Sequence, residues 1–81
     1  MGLMLLEIIT PEEKVFEGEV NSVQFPGSDG KFEVLNNHAP IISSLVKGNI
    51  RVIDANNNSS NYPINGGVIE MQNNKIIVLA D

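Results

Sequence analysis

From Phe16 to Phe25 the apolar residues fall on every second position, with one slip in the middle. Phe16, Gly18 and Val20 alternate with Glu17, Glu19 and Asn21, and after Asn21-Ser22 the apolar set resumes as Val23 and Phe25 around Gln24. A period of two sends side chains alternately to the two faces of an extended strand, whereas a helix needs a period of about 3.6. A one-residue slip would carry the whole apolar set to the wrong face unless the strand accommodates an extra residue as a β-bulge. The stretch therefore predicts a long, bulged strand buried on one side.

The rest of the chain is written in the same period. Leu3 to Thr10 predicts a first strand, with Met4, Leu6 and Ile8 inward and Leu3, Leu5 and Ile9 on a wet face marked by Glu7. Pro26-Gly27-Ser28-Asp29-Gly30 is a dense turn signal, followed by Phe32 and Val34 alternating with Lys31 and Glu33. Ile41 to Val46 reads as a short strand that turns through Lys47-Gly48 into Asn49 to Ile53. Asp54 to Asn61, rich in Asn and Ser, predicts a long hairpin loop. Tyr62 and Ile64 lead to Asn65-Gly66-Gly67, where two glycines permit positive φ or close backbone approach. Val68 to Met71 and Lys75 to Ala80 read as a closing hairpin through Gln72-Asn73-Asn74. Eight to ten short strands without a helical segment predict an all-β class, a two-sheet antiparallel β-sandwich in one domain spanning 1–81.

Composition narrows the function classes. At 81 residues the chain lies near the lower limit of what a hydrophobic core alone stabilises. It has no cysteine, which removes disulfide staples and thiolate metal sites and favours an intracellular setting. Ten acids against five bases leave a net charge of −5. Nucleic acid and anionic lipid both reward clustered Lys and Arg, so neither is an expected partner. Met1-Gly2-Leu3-Met4-Leu5-Leu6-Glu7 lacks the basic region of a signal peptide, and Leu6 breaks the myristoylation pattern. No apolar run approaches the ~18–20 residues that span a bilayer.

Few residues carry chemistry. The single histidine, His38, lies among amides in Leu35-Asn36-Asn37-His38-Ala39-Pro40 and has no neighbouring nucleophile or carboxylate. One His cannot fill a zinc sphere. Gly27-Ser28-Asp29-Gly30 lacks the lysine spacing and following helix of a phosphate loop, so turn chemistry accounts for it. No catalytic residue, metal or cofactor is expected. By contrast, aliphatic residues occupy both faces of several strands: Leu5 and Ile9 against Leu6 and Ile8, Ile41 beside Ile42, and Ile76-Ile77-Val78-Leu79. Only one face of each sheet in a small sandwich meets the core. Either an apolar outer patch awaits a partner, or alternation is relaxed at the sandwich corners.

Leu6-Glu7-Ile8-Ile9-Thr10-Pro11-Glu12, Val15-Phe16-Glu17-Gly18-Glu19-Val20 and Pro26-Gly27-Ser28-Asp29-Gly30 resemble the opening of the epsilon subunit of bacterial F-type ATP synthases. So do His38-Ala39-Pro40, the Leu45 to Gly48 step, Gly66-Gly67-Val68-Ile69-Glu70-Met71 and the ending Val78-Leu79-Ala80-Asp81, in the same order. This resemblance implies a sandwich of two five-stranded sheets. It also implies a non-catalytic rotor subunit linking the gamma subunit to the membrane c-ring, peripheral on the cytoplasmic face of the bacterial inner membrane, so that proton- or sodium-driven rotation is coupled to ATP synthesis. By resemblance, Ser28, Asp29, Gly30 and Lys31 pair with His38, Ala39 and Pro40 at one end of the sandwich and face the ring. Thr10, Ile42, Ser43, Val68, Ile69 and Met71 face gamma.

Three departures qualify this picture. Lys31 stands where the family commonly has an acid, and Asn36 where it usually has proline, which predicts a looser loop. Family members also continue past the Leu79-Ala80-Asp81 ending into a helical hairpin that restrains ATP hydrolysis. If Asp81 is the natural end, the resemblance implies coupling without that self-inhibition and without ATP binding. The alternative reading is a generic β-sandwich module for protein or carbohydrate. It sits poorly with a chain that has no Trp, one Tyr and three Phe, because Phe16, Phe25 and Phe32 all fall at inward positions. A small cupin-like enzyme fails for want of metal ligands.

Overall fold

A computed structural model describes residues 3–81; the readings that rest on Met1 and Gly2 lie outside the described residues. It contains eight strands and no helix among those residues: β1 (Met4–Ile9), β2 (Lys14–Gly27), β3 (Gly30–Leu35), β4 (Ile41–Leu45), β5 (Gly48–Asp54), β6 (Ser59–Ile64), β7 (Gly67–Gln72) and β8 (Lys75–Ala80).

The long bulged strand organises the fold. The first half of β2 pairs with β1, from Lys14 opposite Ile9 to Val20 opposite Met4, and its second half pairs with β3 and β5. Between the halves the register against β5 shifts at Val20/Ser22, where the sequence slips. The extra residue lets Val20 and Val23 both be fully buried although they are three apart. One layer is then β4-β7-β8-β1-β2 and the other β3-β2-β5-β6, with β2 contributing to both. The layers hold five and four strands, where the resemblance implies five each. A single pair, Gly27 opposite Leu45, joins β2 to β4 and closes the layers into one hydrogen-bonded network. Pairing is antiparallel except between β1 and β8, which run parallel as the first and last strands side by side.

The core lies between the layers. Met4, Leu6 and Ile8 of β1 meet Ile69, Met71, Ile76 and Val78 from one layer, and Val23, Phe25, Val34, Ile50 and Val52 from the other. Phe25 stacks at a tilt on Phe32, with ring centroids 5.5 Å apart, and Phe16 on Tyr62 at 5.4 Å. Each fully buried aliphatic is worth about 1.5–3 kcal/mol, so this apolar set supplies the main driving force for folding. No polar or charged residue is buried among the described residues.

Turns follow the local chemistry, in places more tightly than the sequence suggests. Pro26, Gly27 and Gly30 belong to strands, which leaves only Ser28-Asp29 as the β2–β3 turn. Asn73 and Asn74, at φ 55° and 60°, form the two-residue mirror-image turn whose twist matches a hairpin. The expected loop of Asp54 to Asn61 shrinks to 55–58, because Ser59, Ser60 and Asn61 pair with Ile53, Val52 and Arg51. The Asp54 carboxylate accepts from the amides of Asn56 at 2.8 Å and Asn58 at 2.9 Å. That bracing, together with Asn57 at φ 65°, lets the chain reverse early. At Gly67 (φ 148°) a Cβ would overlap the Leu79 carbonyl oxygen and lie 2.9 Å from Ala80 Cα, so glycine is required where β7 crosses β8.

Candidate partner-binding surfaces

The apolar surplus resolves into one face. In the five-stranded layer, Leu5, Ile9, Ile42, Val68, Ile77 and Leu79 all point away from the core. The register sets Ile9, Leu79 and Val68 side by side, while Ile77 lies between Glu7 and Glu70, Ile42 faces Glu70 and Leu5 faces Lys75. Ile42 is 76% exposed, Leu79 56%, Leu5 48% and Val68 44%. Exposed aliphatics gathered on one sheet face, here interspersed with Glu7, Glu70 and Lys75, are the kind of surface that marks an interaction site. Corner relaxation does not account for them, since Ile42, Val68 and Ile77 lie inside strands.

The residues expected to face a shaft subunit divide on this geometry. Ile42 and Val68 lie on the apolar face. Ile69 and Met71 do not: they are 0% and 1% exposed and belong to the core, which corrects the expectation for both. The reason is the period of two, because Glu70 points outward between them. Ser43 lies on the inward side of β4 with Ile41 and Leu45, half-buried next to the Ser28–Lys31 turn. The Thr10 hydroxyl closes the β1–β2 turn, donating to the Glu13 carbonyl at 3.1 Å and accepting from the Glu13 amide at 3.2 Å. Leu5, Ile9, Ile77 and Leu79 join the face instead. Their signal in the sequence was the surplus of aliphatics opposite the core positions.

The two loops expected at one end of the sandwich lie at opposite ends of β3. Ser28-Asp29 precedes Gly30, and His38-Ala39-Pro40 follows Leu35. Five steps of extended chain separate those strand ends by roughly 17 Å. The Ser28 hydroxyl and amide both donate to the Ser44 carbonyl at 3.3 Å, which fixes that turn near the Leu45 end of β4. The 36–40 loop instead meets the β7–β8 turn. Asn74 Nδ2 donates to Asn36 Oδ1 at 2.7 Å, and the Asn37 amide donates to Asn74 Oδ1 at 2.8 Å. Asn36 therefore braces the loop that its replacement of proline was expected to loosen. The His38 amide donates to the Leu35 carbonyl at 3.1 Å, and the exposed ring places Nδ1 2.7 Å from the Ala39 carbonyl oxygen. Among the described residues no group of three His, Cys, Asp or Glu side chains could hold a metal.

Electrostatics at the rim of the apolar face centre on Lys14. Glu7 and Glu17 are direct cross-strand partners, an arrangement that repels on its own. Lys14 Nζ lies 3.2 Å from Glu7 and 3.1 Å from Glu17. Its hydrogen bond to Glu7 holds that carboxyl below its ordinary range, and the bonds to Glu17 and then Glu7 raise the Lys14 ammonium above its own.

Residues 3–81 match the family described as ATP synthase, delta/epsilon chain, beta-sandwich domain. The chain is 44% identical over 81 residues to an ATP synthase epsilon chain of Campylobacter curvus, covering all of this chain and 63% of that relative. It is 38% identical over 76 residues to an ATP synthase epsilon chain of Chlorobium limicola, covering 94% of this chain and 86% of that one. Its fold is similar to a chain in the mitochondrial ATP synthase of Euglena gracilis, with a TM-score of 0.92 at 17% identity over 99% of this chain and 51% of that one. It is also similar to a chain of the central stalk and c-ring of the Tetrahymena thermophila enzyme, with a TM-score of 0.76 at 15% identity over 95% and 62%.

Proposed function

Because this chain belongs to the ATP synthase delta/epsilon-chain β-sandwich family, we propose that it is a non-catalytic rotor module joining the gamma subunit of the central stalk to the membrane c-ring. Rotation driven by protons or sodium ions then reaches the catalytic head through gamma, and the module sits peripherally on the cytoplasmic face of the bacterial inner membrane. One observation carries this reading: the apolar outward face of the five-stranded layer, led by Ile42, Val68 and Leu79. A module that transmits torque needs a stiff body and adhesive surfaces rather than reactive groups. A sheet closed over a wholly apolar core supplies the first, and the outward aliphatics supply the second.

Gamma is assigned to the apolar face. The His38–Pro40 loop, which leads directly into β4 and Ile42, borders the same contact. The ring is assigned to the opposite end of β3, where Ser28, Asp29, Gly30 and Lys31 present polar and charged groups to polar ring loops. The test is complex formation with the organism's own gamma subunit, by size-exclusion chromatography and calorimetry. A one-to-one complex weakened by Ile42→Asp supports the reading. No complex at tens of micromolar protein, or one indifferent to Ile42→Asp and Val68→Asp, removes the assignment of this face.

A further inference from the structure

The opposite layer carries a surface of another kind. Lys31, Lys47 and Arg51 line one concavity on the outward side of β2, β3 and β5, and they are three of the five basic residues in an acidic chain. No carboxylate lines it; the remaining polar groups there are the amides of Gln24, Asn49 and Asn61. Among the described residues both ion pairs are made by Lys14, so these three cations face the groove without an anionic partner. The floor is kept low by a close approach of strands: a Cβ on Gly48 would lie 2.8 Å from Pro26 Cβ. Arg51 Nε donates to Ser59 Oγ at 3.5 Å, which lays its guanidinium along the neighbouring strand.

We propose that this groove docks a carboxylate-bearing loop of a partner protein. Three cations that form no ion pair, with Asp29 and Glu33 only at the borders, repel one another, and an acidic ligand relieves that repulsion while gaining charge-assisted hydrogen bonds. A guanidinium and side-chain amides offer the planar donor geometry that a carboxylate accepts. The groove is bounded: Asp29 sits in the adjoining turn, and Glu33 lies across Gln24 from Arg51. A short loop with one or two carboxylates fits between these acids, whereas an extended nucleic-acid backbone would run onto them and onto a chain of net charge −5. The apolar face lies on the other layer, so this proposal is independent of the gamma assignment. Because the groove shares Gly30 and Lys31 with the proposed ring contact, it rests at that end on the rotor reading.

The test is an amide-resolved NMR titration of the protein with a capped acidic probe peptide, Gly-Glu-Gly-Asp-Gly, its neutral Gln/Asn counterpart, and inorganic phosphate. The acidic peptide should shift amides around Gly30–Lys31 and Val46–Arg51, with the shifts fading as salt rises. The triple variant K31Q/K47Q/R51Q should lose those shifts and keep a folded spectrum, while K14Q retains them. The proposal is overturned by an absence of groove shifts, by equal shifts with the neutral peptide, or by equal shifts with phosphate at the same concentration. Stronger shifts at the same amides with a short single-stranded oligonucleotide would also overturn it.

Discussion

Asn74 reaches from the β7–β8 turn to Asn36 in the β3–β4 loop, its Nδ2 donating at 2.7 Å to the Asn36 side-chain oxygen. Its own oxygen accepts from the Asn37 amide, and its backbone carbonyl accepts from the Leu5 amide at 3.0 Å. One residue at φ 60° thus completes a turn, ties down the loop that bears His38 and anchors the edge of β1.

Asn74→Ala should destabilise the fold by roughly 2 kcal/mol, combining the left-handed backbone cost with lost hydrogen bonds. Asn74→Gly should recover the backbone share. In both variants the Asn37 amide should exchange faster with solvent, measured by hydrogen exchange beside urea unfolding. Unchanged protection at Asn37 would show that the bridge does not hold the loop.

Ile42 and Ile69 lie on opposite faces of adjacent strands and should separate binding from stability. Ile42→Asp should leave the unfolding midpoint nearly unchanged, within about 0.5 kcal/mol, and weaken gamma binding. Ile69→Ala should cost about 2–5 kcal/mol by opening a core cavity. Calorimetry of both variants, free and with gamma, checks the contrast; a large stability loss in Ile42→Asp would contradict its exposed placement.

Gly67→Ala should be among the costliest single changes, at roughly 3 kcal/mol or more, since it combines a disfavoured φ with overlap on β8. Thermal unfolding reads this directly. Gly30→Ala has a positive φ of 120° but open space around it, so it should cost distinctly less. Equal costs would mean that φ alone decides.

The Lys14 bridge sets a pH dependence of known sign. Glu7 titrates lower in the folded state, so its contribution is present above the ordinary carboxylate pKa and lost as pH falls through the lowered value. Lys14 titrates higher when folded, so its contribution is present below the ordinary lysine pKa and lost as pH rises through the raised value. Lys14→Gln should therefore bring acid unfolding to a higher pH, followed by circular dichroism. An acid midpoint equal to the parent's would show the bridge to be energetically silent.

The class of fold and the part of its core on β1 to β3 were legible in the chain. Alternation named Met4, Leu6, Ile8, Val20, Val23 and Phe25 as inward, and the slip at Asn21-Ser22 located the bulge. These are local signals, since a period of two fixes which face a side chain takes before any partner strand is known. The same logic places Ile69 and Met71 inward around Glu70 and corrects their expected role. What lay beyond local pattern was which strands meet. Residues far apart in the chain, Leu5, Ile42 and Leu79, share a surface because β1, β8, β7 and β4 pair in that order. Lys31 and Arg51 face one groove because β2 holds β3 on one side and β5 on the other. The sequence determined inside and outside; the tertiary structure decided the neighbours on the outside, because strand order and register are chosen by packing across the whole core.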